Sequence, residues 1–216
     1  MGSEMCIRDR GRGALSAATT ANDNTAVGHK SLQLNTSGTR CAALGYNGLQ
    51  NNTTANDNTG VGYYALQANT TGAENTALGA YALKTNTTGG YNTAVGSNAL
   101  DANTTGANNT ALGTQALTAN TTADNNVAVG KNSLKVNTTG TGHVAIGVYA
   151  LDAITTNNYA TAVGFNALTA NTASNVVAVG AYSLTANTTG DYLSLIHISE
   201  PTRLLSIAYG VLCLKK

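Results

Sequence analysis

From Gly28 onward one arrangement of apolar and polar positions returns every seventeen residues, the step from Gly28 to Gly45. A glycine preceded by an aliphatic residue stands at Gly28, Gly45, Gly62, Gly79, Gly96, Gly113, Gly130, Gly147 and Gly164, and once more, after sixteen, at Gly180. Four residues beyond each stands a leucine: Leu32, Leu49, Leu66, Leu83, Leu100, Leu117, Leu134, Leu151, Leu168 and Leu184. Projected backwards, the register meets Gly11 and Leu15, so the array begins at about residue 11. A fixed period of this length is the signature of a stacked repeat, in which no unit buries enough apolar surface alone and neighbours build a continuous core.

The stretch from Asn92 to Asn108 shows what one unit contains. Thr93, Ala94 and Val95 form a short β-prone run. Side-chain alternation puts residues 93 and 95 on one side, and that side is expected to face inward. Ala99 and Leu100 supply a second apolar contact, with position 99 held to Ala, Ser or Gly throughout. Asn103, Thr104, Thr105 and Gly106 read as a turn, because Asn and Gly tolerate left-handed geometry and short polar side chains bond nearby backbone. The predicted fold is all-β: a parallel β-solenoid, or β-roll, of seventeen-residue coils. The segment from Gly96 to Leu100 stays open between a strand and a short helical turn, since its adjacent apolar residues do not alternate. At about 4.8 Å per coil the array forms a rod roughly 50 Å long.

The ends follow a different pattern, and three segments are expected: a non-native flank at 1–10, the repeat solenoid at 11–192 and a non-native tail at 193–216. Back-translated, the first ten codons can be written so that their reverse complement, shifted by one base, encodes Leu193 to Thr202. Such an inverted pair resembles the adapters of transposase-based sequencing libraries, and segments of that kind are set aside before composition is read. The single Pro201, both Met1 and Met5, and Cys6 and Cys213 fall in these flanks, leaving Cys41.

Within the array the charges nearly cancel: Arg12, Lys30, Arg40, Lys84, Lys131 and Lys135 stand against Asp23, Asp57, Glu74, Asp101, Asp124, Asp152 and Asp191. No basic patch for nucleic acid is legible, and no apolar run is long enough for a membrane span. Cys41 stands where the repeat usually has Asn, with no ligand spacing around it. His29, His143 and His197 form no acid–base constellation with a nucleophile, so no catalytic residue, cofactor or metal is expected and the chain is read as a non-enzyme. Asp23, Asp57 and Asp124 sit in Asn-rich turns that read as solvated turns rather than calcium sites, which need six to eight oxygens. The Asn-x-Thr sequences at Asn69, Asn86, Asn103, Asn120, Asn137 and Asn187 read as turn chemistry.

The residues just after each glycine vary, as in His29 and Lys30, Tyr46 and Asn47, Tyr63 and Tyr64, Lys131 and Asn132, and Phe165 and Asn166, and are expected to decorate one stripe. Tyr46, Tyr63, Tyr64, Tyr81, Tyr149 and Tyr182 are the candidate contact residues there, each pairing rigid area with a polar handle.

The recurring Thr-Ala-Val-Gly-x-x-Ala-Leu of Thr93 to Leu100, with Val-Ala-Val-Gly at Val127 to Gly130 and Val-Ala-Ile-Gly at Val144 to Gly147, resembles the head repeats of trimeric autotransporter adhesins. The longer unit ending in Asn-Thr-Thr-Gly is more similar still to repeats of phage tail-fibre proteins. The resemblance spans essentially all of 11–192 and implies a parallel β-roll, a homotrimer, a glycan or protein receptor on a host surface, and a place on a virion or bacterial cell surface. Adhesin heads commonly repeat at about fourteen residues, so the longer unit departs from them. Two other classes compete with a fibre segment. One is an ice-binding solenoid using the rank Thr36, Thr53, Thr70, Thr87, Thr104, Thr121, Thr138, Thr155, Thr172 and Thr188; the other is a polysaccharide-degrading solenoid enzyme, which needs a carboxylate pair that the scattered acids do not offer.

Overall fold

The computed structural model describes residues 8–196. Twelve three-residue strands follow one another in chain order: β1 (Arg8–Arg10), β2 (Thr25–Val27), β3 (Ala42–Leu44), β4 (Thr59–Val61), β5 (Thr76–Leu78), β6 (Thr93–Val95), β7 (Thr110–Leu112), β8 (Val127–Val129), β9 (Val144–Ile146), β10 (Thr161–Val163), β11 (Val177–Val179) and β12 (Ser194–Ile196). They form one sheet in which each strand pairs with the next, in parallel, at the register of the repeat: Thr93 lies opposite Thr76 and Thr110. The chain is therefore a parallel β-solenoid of seventeen-residue coils, and no helix occurs among the described residues. The ladder takes in Arg8–Arg10 and Ser194–Ile196, three residues from each segment set apart by its codon pattern. The rest of those flanks, with Met1, Met5, Cys6, His197, Pro201 and Cys213, lies outside the described residues.

One expectation is reversed. In every strand from β2 to β11 the middle residue is the buried one, while its two neighbours, Thr93 and Val95 in β6, lie on the outer face. The cause is the thinness of the coil. A methyl group placed on Gly60, the middle residue of β4, would already stand 3.2 Å from Cγ of Leu49 and 3.3 Å from the Ala65 carbonyl oxygen. Only Ala or Gly fits there, so Val and Leu are turned outward. The core is accordingly built from Ala94, Ala99 and Leu100 and their equivalents.

The Gly96–Leu100 segment is neither strand nor helix but a turn that runs into a second turn. Ala99 N–H donates to the Gly96 carbonyl at 3.3 Å, and Asn103 N–H to the Leu100 carbonyl at 3.2 Å. Every repeat leucine from Leu15 to Leu184 adopts a left-handed backbone, with φ of 52° at Leu100. That conformation costs an L-residue about 1–2 kcal/mol. Full burial of the side chain, worth about 1.5–3 kcal/mol, and a 3.0 Å bond from Leu100 N–H to the Ala116 carbonyl of the next coil offset it. The repeat glycine has a stricter reason: at Gly96, φ is +134° and a Cβ would lie 2.6 Å from the carbonyl carbon and oxygen of Gly113. Successive backbones touch here, so a side chain would separate the coils.

Inside the coil run two columns of buried asparagine. In the first, Asn24, Asn58, Asn75, Asn92, Asn109 and Asn126 stand just before their strands. The Asn92 side-chain amide donates to the Gly106 carbonyl at 2.8 Å, and its Oδ1 accepts the Asn109 N–H of the next coil at 3.0 Å. In the second, Asn35, Asn52, Asn69, Asn86, Asn103, Asn120 and Asn137 are linked amide to amide, Asn103 Nδ2 donating to Asn86 Oδ1 at 2.8 Å and also to the Gly106 carbonyl at 2.9 Å. Both columns thus converge on one turn carbonyl per coil, that of Gly106 for Asn92 and Asn103. An unpaired buried amide would cost about 1–3 kcal/mol, so each column is secure only as a continuous ladder.

Substitutions within the first column copy the pattern. Cys41 Sγ lies 3.3 Å from the Ala55 carbonyl, the acceptor that an asparagine would use, and burial pushes its thiol pKa up. His143 Nε2 lies 2.7 Å from the Asn157 carbonyl while its Nδ1 accepts the Ala160 N–H at 3.1 Å. These two contacts fix a neutral imidazole protonated on Nε2, and burial lowers its pKa. Beyond His143 the column turns apolar, through Ala160 and Val176 to Leu193, and Ile154 enters the second column.

Candidate functional site

Since the interior is filled by Ala, Leu and Asn, anything that distinguishes one coil from another lies on the surface. The two residues after each repeat glycine enter a turn whose second position has a left-handed backbone, φ 59° at Tyr64 and 61° at Tyr81. The first residue of the pair therefore stands out into solvent, as Tyr46, Tyr63, Lys131 and Phe165 do, while the second lies lower, and Asn47 and Asn132 are buried.

Because coils stack without offset, like positions in successive coils become neighbours, and the structure brings four of the six candidate tyrosines into one cluster. Tyr46 and Tyr63 stack at 5.3 Å between ring centres, and His29 continues the stack onto Tyr46 at 5.0 Å. Tyr64 and Tyr81 form a parallel second row, stacked at 5.9 Å. The rows meet edge to face, Tyr63 against Tyr64 at 4.3 Å and against Tyr81 at 5.4 Å. Pairs of this geometry contribute about 0.5–1.5 kcal/mol beyond area burial. Lys84 Nζ stands 5.3 Å from the centre of the Tyr81 ring, a cation–π contact. Beside the rows runs a ladder of side-chain amides, Gln50 donating to Gln33 at 3.0 Å and Gln67 to Gln50 at 3.2 Å. Nδ1 of His29 and Oδ1 of Asn47 are buried here without a hydrogen-bond partner among the described residues.

The remaining candidates stand apart. Tyr182 pairs with Phe165 at 5.4 Å, and Tyr149 joins no ring pair among the described residues. Sequence reasoning passed over a further set, Tyr91, Tyr159 and Tyr192, which stand just before the first asparagine column and are 59%, 63% and 69% exposed. Their shared register was the available signal. That column also carries Asp23, Arg40, Asp57 and Glu74. Arg40 and Asp57 form a bidentate pair, both contacts 2.6 Å, which raises the guanidinium pKa and lowers that of the carboxyl through their mutual hydrogen bonds. The strand face thus separates two unlike flanks in the first coils, one holding Asp23, Arg40, Asp57 and Glu74, the other Arg12, His29, Lys30 and Tyr46, Tyr63, Tyr64 and Tyr81.

Two other surface readings change in the structure. The threonine rank turns its hydroxyls onto the next coil from Thr36 to Thr138 and again at Thr172, Thr104 Oγ1 donating to the Thr121 carbonyl at 3.0 Å. The asparagines of the Asn-x-Thr sequences at 69, 86, 103, 120 and 137 are buried, so they serve the interior ladder as well as the turn. The half-buried Asp152 has its pKa raised by desolvation, with Lys135 opposing, and its Oδ1 has no partner among the described residues. No cluster of three or more His, Cys, Asp or Glu residues occurs among the described residues. Nor is any helix there long and apolar enough to cross a membrane. No protein-family model, curated protein or solved structure matches the chain.

Proposed function

We propose that the chain is a non-enzymatic structural segment of an extracellular or virion fibre, a straight rod that associates with copies of itself, three to a bundle, and carries a surface for attachment to a host. The observation that carries this reading is the outer strand face. Val27, Leu44, Val61, Leu78, Val95, Leu112, Val129, Ile146, Val163 and Val179 point outward, one per coil, and Leu44, Leu78 and Ile146 are 49%, 48% and 40% exposed. An unbroken aliphatic stripe of this kind marks an interaction surface. The whole strand face, three residues across and about ten coils long with the threonines included, covers roughly 500 Å², short of the roughly 800 Å² per partner in a stable two-body interface. Closure around a three-fold axis lets each copy meet two neighbours and use the flanks as well. Support for a passive rod comes from the acids: Asp57 and Glu74 stand in consecutive coils, but Asp57 is held in an ion pair with Arg40 that lowers its pKa, whereas a general acid needs its pKa raised.

Sedimentation velocity on the purified chain tests the reading. The expected species has three times the 21.8 kDa chain mass, and the triple substitution Leu44→Ser, Leu78→Ser and Leu112→Ser is expected to leave a folded monomer. A monomeric unsubstituted chain at micromolar concentration would contradict it.

A second reading has its own observation. Thr25, Thr59, Thr76, Thr93, Thr110 and Thr161 share the outer strand face with the aliphatic column, a flat and regular array that an ice surface could match. Thermal hysteresis that is lost in Thr76→Lys and Thr93→Lys would favour it over the fibre.

A further inference from the structure

We infer that the cluster of His29, Tyr46, Tyr63, Tyr64, Tyr81 and Lys84 is a binding site for a linear acidic polysaccharide, one whose sugars carry carboxylate or sulfate groups. The inference gives a partner to the rod proposed above, and takes only its attachment role from that reading.

Three features lead to this class of ligand. The first is repetition. Aromatic rings recur in successive coils with centres 5.0, 5.3 and 5.9 Å apart, in two rows joined edge to face, so the site is an extended track along the rod rather than a pit. A polymer with a similar short repeat can engage it unit by unit. The second is charge. Lys84 lies over the Tyr81 ring and Arg12 and Lys30 stand at the head of the two rows by register, whereas the acids of these coils, Asp23, Asp57 and Glu74, stand with Arg40 on the other flank of the strand face. From Gly11 through Thr20, and in each later segment running from the repeat glycine through the turn as far as Thr88, no carboxylate occurs; the first on this flank is Asp101, in the register of Lys84 one coil beyond the track. A chain polar enough to be nearly neutral overall thus presents an anion-seeking patch at one place. The third is hydrogen-bonding capacity. Tyrosine hydroxyls both donate and accept, and the Gln33–Gln50–Gln67 amide ladder alongside offers donors and acceptors at the same spacing. The partnerless Nδ1 of His29 and Oδ1 of Asn47 lie at the same place.

Single-stranded nucleic acid is the competing polyanion, and the ring geometry disfavours it. Base stacking needs an open aromatic face, but Tyr46 is sandwiched between His29 and Tyr63 and the other rings cover one another. What the track offers instead is ring edges, hydroxyls and cations, which suit sugar hydroxyls and acid groups.

Isothermal titration of the full chain with polygalacturonate and with heparin oligosaccharides, against dextran and oligothymidylate, tests the assignment. Binding to at least one acidic polysaccharide is expected, weakened at least tenfold by Tyr46→Ala with Tyr63→Ala and several-fold by Lys84→Gln, with no change in Tyr159→Ala, whose ring lies on the other flank. Circular dichroism of each variant should match the unsubstituted chain. If the double variant unfolds, Lys84→Gln and Lys30→Gln carry the test. Absence of binding to both polysaccharides, equal binding of dextran, tighter binding of oligothymidylate, or indifference to the substitutions would each overturn the assignment. Sedimentation of the same samples separates the two proposals. A monomer that binds acidic polysaccharide removes the bundle alone, and a trimer that binds neither removes this site alone.

Discussion

The coils between Asn24 and Asn126 and those after His143 share one backbone path but are filled differently. In the first region the position before each strand is a buried asparagine, Cys41 excepted, tied to the turn carbonyl of its own coil and the strand amide of the next. In the second, Ala160, Val176 and Leu193 occupy that position with no polar bond from the side chain. The one sixteen-residue coil, Gly164 to Gly180, falls in this apolar region. The deletion is absorbed at the exposed place that Thr105 holds in a full coil, and Asn171 of the second column bonds the Ala173 carbonyl two residues on instead of three. The difference teaches what the ladder does. Apolar contact holds coils together in both regions, but in the laddered one each coil must present its carbonyl and amide at one height, so coil length is fixed there. His143 is the junction: an imidazole whose two nitrogens imitate the oxygen and nitrogen of asparagine, placed where the ladder ends.

Four substitutions or conditions should break or sharpen this contrast. The largest effect is expected from Asn92→Leu, which removes the acceptor of the buried Asn109 N–H and overfills the interior. Each of these faults costs about 1–3 kcal/mol, so a loss of about 3–5 kcal/mol in urea denaturation is expected, against about 2 kcal/mol for Val176→Ala in the apolar region. A loss at Val176 equal to or greater than that at Asn92 would remove the ladder's special role. Next comes coil length. Deleting Thr105 inside the laddered stretch should cost about 1–3 kcal/mol through strained side-chain bonds, whereas restoring a threonine after Thr172 should be nearly neutral.

The third effect is a pH dependence at the junction. Burial holds the folded His143 pKa below its ordinary value of about 6.5, so the unfolded chain takes up the proton first. Its contribution is therefore complete above about pH 6.5 and is lost as pH falls from there towards the folded pKa. Denaturation midpoints at pH 7.5 and below 6 should show this decline, and His143→Asn, which keeps both hydrogen-bonding roles, should flatten it. The smallest effect is expected at Cys41. Cys41→Asn restores the ladder residue and should change stability by less than about 1 kcal/mol, in the stabilising direction; a marked loss on differential scanning calorimetry would show that the site has adapted to sulfur.

Much of the fold was legible in the sequence. The spacing of Gly28 and its successors and of the leucines fixed the coil length, parallel stacking and turn positions, because a translational repeat leaves few other ways to bury one leucine per unit. The facing of the strands was not. Alternation says that residues 93 and 95 share a side, but with three residues it does not say which side, and the larger residues naturally suggested the core. What decides is the width of the coil, set by Leu49 and Ala65 pressing on the middle strand residue, a tertiary distance with no local signal. The asparagine columns were half visible. Their fixed register was plain, but Asn is so common in turns that burial could not be read from it. Of the surface residues, Tyr46, Tyr63, Tyr64 and Tyr81 could be placed together because stacking turns sequence period into contact. Tyr91, Tyr159 and Tyr192 were passed over because they precede the strand rather than follow the glycine.

Residue-resolved hydrogen exchange bears most directly on the stacked, laddered coil. Outside the strands, Asn98, Leu100, Thr104 and Asn109 each direct a backbone N–H to an adjoining coil, Asn98 to the Ala80 carbonyl and Asn109 to Asn92 Oδ1. Strong protection of these amides, recurring once per coil, is the expected result, continuing past His143 at the Asn98 and Leu100 positions and weakening beyond Ala160 at the Asn109 position, where the side-chain acceptor ends. Protection confined to the three-residue strands, with the intervening amides exchanging like open loops, would contradict it.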